Sequence, residues 1–175
     1  MNKIKHLVFG FYLVLFLIIL LSNKIYSQDS IKNLPKIPSI NIKTIEGKNF
    51  NTANINNNGK PIIISFFATW CKACVKELSA INENYSEWQE ETGVKLYAIS
   101  IDDARTKANV LPMVNGKGWD FDILSDENGD LKRSLNIALL PQMYILNKNN
   151  EIVWQHNSYT EGDENEIIKV LRTIK

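Results

Sequence analysis

Cys71 and Cys74 are the residues with the most chemistry to offer, and they are the only cysteines in the chain of 175 residues. They stand in Trp70-Cys71-Lys72-Ala73-Cys74, directly after an apolar run made of Ile62, Ile63, Ile64, Phe66 and Phe67. Two thiols one helical turn apart can close a disulfide with little backbone movement. If a helix begins at the pair, its unpaired N–H groups and its dipole both favour a thiolate on Cys71. The flanking residues are those such a placement needs. β-Branched and aromatic residues before the pair predict a buried strand. After it, Cys74, Leu78, Ile81, Tyr85 and Trp88 recur in steps of four and three, which is one face of a helix. The pair therefore falls where a strand hands over to a helix.

Other chemistries fit less well. A metal site wants more ligands than are present: there is no further cysteine, and the histidines are His6 and His156, far from the pair in sequence. A purely structural bridge across so short a loop would restrict the unfolded chain little. Asp126-Glu127-Asn128-Gly129-Asp130 alternates acidic and amide residues, but it lacks the glycine at the sixth place and the closing glutamate of a calcium loop, and it reads as a turn.

The N-terminal stretch is different in kind. Lys3 and Lys5 precede Leu7 to Leu21, an apolar run of 15 residues, and no acid appears before Asp29. That run is shorter than the ~18 residues of a spanning helix, and Ser27 offers a small residue before Gln28, so Met1 to Ser27 reads as an export signal, cleaved or retained as an N-terminal anchor. No cysteine follows it to carry a lipid. Without Lys3, Lys5 and Lys24 the chain keeps 17 basic against 19 acidic residues, a net charge of −2, which argues against nucleic acid as a partner. Export would also place the cysteines in an oxidising setting that favours their pairing.

Residues 28–38 are polar with two prolines and read as a tether, leaving 39–175 as one domain. Its composition, 45% hydrophobic and 22% charged, is that of an ordinary globular protein rather than a disordered one. Ile40, Ile42 and Ile45 alternate with polar residues ahead of Glu46-Gly47-Lys48, predicting a hairpin. Gly93 closes the long helix, and Val94 to Ile101 predicts a second buried strand, parallel to the first through a right-handed crossover. Asp102-Asp103 reads as the cap of a helix over Ala104 to Val114, which Pro112 should shorten. A short strand over Trp119 to Leu124, a helix over Leu131 to Leu135, a hairpin from Met143 to Gln155 and an amphipathic helix over Glu164 to Ile174 complete the order.

Phe66-Phe67-Ala68-Thr69-Trp70-Cys71-Lys72-Ala73-Cys74, with Glu77-Leu78 after it and Leu140-Pro141 ahead of the last hairpin, resembles the thioredoxin superfamily. Within it the chain is similar to the exported TlpA/ResA-like thiol-disulfide oxidoreductases. The resemblance implies a thioredoxin-like α/β fold: a central mixed sheet flanked by helices, with an N-terminal β-hairpin and an inserted helix–strand segment. It implies that Cys71 attacks and Cys74 resolves, that Pro141 is a cis proline facing their disulfide, that Leu140 presents backbone to a substrate strand and that Trp70 shields the site. Glu77 matches the acid those proteins carry one turn after the second cysteine, where partial burial could raise its pKa and let it exchange a proton with Cys74. Two departures stand out. Ser65 occupies the strand position where thioredoxin has an aspartate, and Lys72-Ala73 replaces Gly-Pro between the cysteines. A peroxiredoxin-type peroxidase would want threonine at Ala68.

The activity implied is thiol-disulfide exchange with disulfide-containing exported proteins, as a reductant outside the cytoplasm, in the periplasm, with no cofactor. Apocytochrome c and scrambled exported proteins are the substrates it allows, and a membrane thiol-electron transporter is the implied electron source. The rival expectation is a non-catalytic module that holds extended peptides in the same groove.

Overall fold

The computed structural model describes residues 35–174. The export signal, Met1 to Ser27, and the tether as far as residue 34 lie outside the described residues. The described end of the tether is already docked on the domain: the Pro35 carbonyl accepts the Ile152 N–H at 2.7 Å and Lys36 forms a bridge with Glu151.

Seven strands form one mixed sheet: β1 (Asn41–Thr44), β2 (Asn49–Asn51), β3 (Ile62–Phe67), β4 (Lys95–Ser100), β5 (Asp122–Ser125), β6 (Gln142–Leu146) and β7 (Ile152–Asn157). Their spatial order is β2-β1-β5-β4-β3-β6-β7. β3 pairs in parallel with β4, and β4 with β5, while β6 runs antiparallel to β3 on its other side. Four helices accompany the sheet: α1 (Lys72–Thr92), α2 (Val110–Lys117), α3 (Asp130–Ser134) and α4 (Glu164–Thr173). This is the expected arrangement, with β1 and β2 as the N-terminal hairpin and α2 with β5 as the inserted helix–strand segment.

β3 is apolar on both faces because both faces are covered. Ile63 and Phe67 point into a core shared with Cys74, Leu78, Ile81, Tyr85 and Trp88 of α1 and with Ile167, Ile168 and Leu171 of α4. Ile62, Ile64 and Phe66 point into a second core with Tyr97, Ile99, Leu131 and Tyr144. By the two-residue period of a strand, Ser65 falls on the α1 side, the one polar interruption of that row. α1 ends where expected, at Gly93, whose φ of 68° is the left-handed conformation a C-terminal glycine adopts at little cost.

The segment after β4 departs from expectation. No helix starts at Ala104: residues 107–109 form a 3-10 turn and α2 runs from Val110 to Lys117. Pro112 lies in the first turn of α2, where the missing N–H has no intrahelical partner to lose, so proline permits the start here instead of forcing an early end. Gly116 is inside the helix, and Gly118, at φ 61°, ends it. Neither aspartate caps α2. Asp103 accepts the Arg105 N–H at 3.0 Å, and Asp102 turns inward. The next strand starts at Asp122, later than Trp119, because Trp119 and Phe121 stack on each other at 5.6 Å beside Phe67 and Tyr85 and leave the ladder.

Candidate active site

β3 delivers the chain to the cysteines through Ala68, Thr69 and Trp70. The Cys71 N–H donates to the Ala68 carbonyl at 3.0 Å, which turns the chain. Cys71 is the N-cap of α1: its backbone is extended, at φ −88° and ψ 95°, and its sulfur accepts the Cys74 N–H at 3.2 Å. Its carbonyl accepts the Val75 N–H at 3.1 Å, the first bond of the helix. An N-cap oxygen normally takes that side-chain position; here a sulfur does, so a charge on Cys71 would face a backbone donor and the positive end of a helix of 21 residues.

The two cysteines form a disulfide, with Cα atoms 5.3 Å apart, yet their surroundings differ. Cys71 keeps some exposure, whereas Cys74 has none and packs with Leu78 and Ile81. Lys72 is exposed in the first turn. The two tryptophans of this stretch have different places: Trp88 is core, and Trp70, 62% exposed, presents its ring to solvent next to the disulfide.

The Leu140-Pro141 peptide bond is cis. β6 pairs with β3 from Gln142 opposite Phe66, and extending that register sets Pro141 against Phe67 and Leu140 against Ala68, at the end of β3 from which the cysteine loop departs. Pro141 is buried and Leu140 is half-buried against both cores. A groove of about 630 Å³ runs along α1 past Lys72, Val75 and Lys76 toward Tyr159 and Glu161; Ser158, next to Tyr159 in the chain, donates its N–H to the Pro141 carbonyl at 3.0 Å.

Glu77 is 1% exposed, far more deeply buried than one turn of helix periodicity implies. Its Oε2 accepts the Ser65 hydroxyl at 3.1 Å. The strand thus contributes a hydroxyl, and the acid comes from the helix to meet it. Burial raises the Glu77 carboxyl to about 8, with the Ser65 hydrogen bond opposing and the charge of Asp163 adding to the rise. Glu77 thus holds a proton near neutral pH, one helical turn from Cys74.

Asp102 belongs to the site and was missed by the sequence reading, which took it for a helix cap. It has no exposed surface and binds Thr69 by both the backbone N–H, at 2.9 Å, and the hydroxyl, at 2.6 Å. The signal available was its place at the C-terminal end of a parallel strand adjacent to β3, the end at which α/β sheets collect their functional groups. Among the described residues no group of three or more histidine, cysteine, aspartate or glutamate side chains is arranged to hold a metal ion.

The proton on Glu77 gives a stability test. The folded chain retains it up to about pH 8 and the unfolded chain releases it near 4.5, so between those values the folded state binds more protons and loses stability as pH rises. Glu77→Gln removes that loss. Urea melts of the oxidised protein should show parent and variant drawing apart from about pH 5 to about pH 8, with the variant the more stable by up to a few kcal/mol at the upper end. Parallel curves would mean that Glu77 is not buried as a neutral acid.

Comparison with known proteins agrees with this geometry. A thioredoxin-like protein from Porphyromonas gingivalis, solved in solution, is 49% identical, with a TM-score of 0.70 over 78% of this chain and 89% of that one. The thiol-disulfide oxidoreductase ResA of Bacillus thuringiensis (strain Al Hakam) is 29% identical over 118 residues, 67% of this chain and 65% of its own length. The sporulation thiol-disulfide oxidoreductase A of Bacillus subtilis is 28% identical over 67% of this chain and 70% of its own. The chain thus spans just under two thirds of the ResA relative. The AhpC/TSA family matches residues 35–155, from the docked end of the tether through the cysteine junction into the last hairpin, and the chain belongs to that family as a thioredoxin-like protein.

Proposed function

We propose that the protein is a thiol-disulfide oxidoreductase that exchanges its Cys71-Cys74 pair with disulfides of exported proteins and works as a reductant. The observation that carries this reading is the Cys71 sulfur on the Cys74 N–H, with the second sulfur buried behind it. In the reduced protein the Cys71 thiolate attacks one sulfur of a substrate disulfide, and the other substrate sulfur leaves as a thiolate and takes up a proton. Cys74 then gives up its proton and attacks Cys71. The enzyme disulfide closes, the first substrate sulfur leaves reduced, and two electrons have passed from enzyme to substrate. Glu77, poised near 8, takes the Cys74 proton in the minor ionised fraction that this leaves near neutral pH, and returns it when the enzyme is reduced again.

The exposed Trp70 ring, Leu140, Pro141 and the groove along α1 are the surfaces offered to an extended substrate. Apocytochrome c and mispaired exported proteins are substrates of the right kind. The names of the relatives support the oxidoreductase reading, and the charged, then apolar, N-terminal stretch supports export to the periplasm. No helix among the described residues is long and apolar enough to cross a membrane. A reductant in an oxidising compartment must itself be re-reduced, which calls for a membrane carrier of thiol electrons.

Removal of the N-terminal segment is read directly by mass spectrometry: a mature chain beginning at Gln28 is expected, and an intact Met1 in the membrane fraction would mean an anchor. Catalysis is tested by trapping. Cys74→Ser should accumulate a mixed disulfide with substrate on non-reducing gels, Cys71→Ser should accumulate almost none, and both should lose turnover with a supplied reductant. A parent protein that binds extended peptides without turning over a disulfide would instead be the non-catalytic module.

A further inference from the structure

Two residues past the end of β4 stands an acid that the exchange chemistry leaves without a task. Asp102 is 0% exposed, and three donors converge on its carboxylate: the Thr69 N–H at 2.9 Å and the Ser100 hydroxyl at 2.8 Å on Oδ2, and the Thr69 hydroxyl at 2.6 Å on Oδ1. Its own N–H donates to the Ser100 hydroxyl oxygen at 3.0 Å, which fixes the carboxylate from behind. Burying a carboxylate costs free energy unless hydrogen bonds replace its water. All of those bonds go to two places, the end of β4 and the one loop residue that stands two before Cys71.

The consequence concerns the reduced protein. While the disulfide is closed, a covalent bond holds the Cys71 sulfur over the first turn of α1. Once it opens, the sulfur stays on the Cys74 N–H only if the loop keeps Cys71 in its extended N-cap conformation. Residues 68–71 are pinned for that at three points: the Phe67 carbonyl by the Ile101 N–H at 2.9 Å, Thr69 by Asp102, and the Cys71 N–H by Ala68. Of these, only Thr69 is held through side chains and from another strand.

We propose that Asp102 is a positioning residue for the nucleophile: through Thr69 it keeps Cys71 at the helix N-terminus in the dithiol state, and so keeps its thiolate accessible near neutral pH. This rests on the assignment of Cys71 as the attacking thiol. Asp102 acts by geometry, because its own negative charge would disfavour a thiolate nearby. The two effects therefore have opposite signs and can be told apart.

The test is the pH profile of Cys71 alkylation by iodoacetamide in the reduced protein, with the modified cysteine identified by peptide mass. Thr69→Val removes the 2.6 Å hydroxyl bond without altering charge. It should shift the profile to higher pH and slow labelling about three- to tenfold at pH values below the thiol pKa, as an upward move of roughly half to one pH unit requires. Thr69→Ser, which restores the donor, should return the parent profile. Asp102→Asn has one acceptor oxygen and can keep only one of the two bonds to Thr69, so the loosened loop should outweigh the lost charge and give a profile no lower in pH than the parent. A Thr69→Val profile that coincides with the parent while only the melting temperature falls would reduce Asp102 to scaffolding and overturn the proposal. An Asp102→Asn profile shifted to lower pH would overturn it in favour of a charge effect. Labelling of the parent mainly at Cys74 would overturn the nucleophile assignment first, and the proposal with it.

Discussion

The hydrogen bond from the Cys74 N–H to the Cys71 sulfur is the contact on which the site depends. It exists because a helix begins at Cys71 itself, so a donor that would otherwise be unpaired faces its sulfur. That start is set from both sides. β3, buried in the middle of the sheet between β4 and β6, allows the chain to leave in only one direction. α1 is held by Leu78, Ile81, Tyr85 and Trp88 against the same sheet. The first cysteine is thereby left at a polar, partly exposed helix end and the second in an apolar core, so two identical side chains three residues apart acquire different chemistry.

Beneath them the polar interior is small and specific. Glu77 and Ser65 form a pair within an otherwise apolar layer, and Asp102 with Ser100 and Thr69 forms another at the end of β4. The first holds a proton one helical turn from the buried cysteine, because a buried carboxyl with a single hydroxyl donor remains neutral well above its usual range. The second has three donors and anchors a loop.

Much of this was legible in the residues. The all-apolar run of Ile62 to Phe67 identified a strand covered on both faces, and the four-and-three spacing after Cys74 identified the helix and its inward face. Leu140-Pro141 was legible through its motif and lies where its pairing register brings it to the cysteine loop. The features that stayed hidden depended on partners distant in sequence. Glu77 was legible through its spacing from Cys74, but its depth and its partner Ser65, twelve residues earlier on the same layer, were not. Asp102 looks like a cap because local pattern covers only its chain neighbours and does not reveal that the end of β4 lies beside the end of β3, where Thr69 waits 33 residues upstream. Pro112 misled for a local reason: proline marks a break inside a helix and is tolerated in its first turn, and the residue type alone does not say which applies.

One helix end makes the two cysteines unequal, and that inequality is tested most directly by titrating the reduced protein, labelled with ¹³C at the cysteine β-carbons, and following each thiol by NMR. Cys71 is predicted to ionise below the ordinary thiol value of about 8.5 and Cys74 above it. Ionisation of Cys74 first, or of both together at the ordinary value, would contradict the central claim.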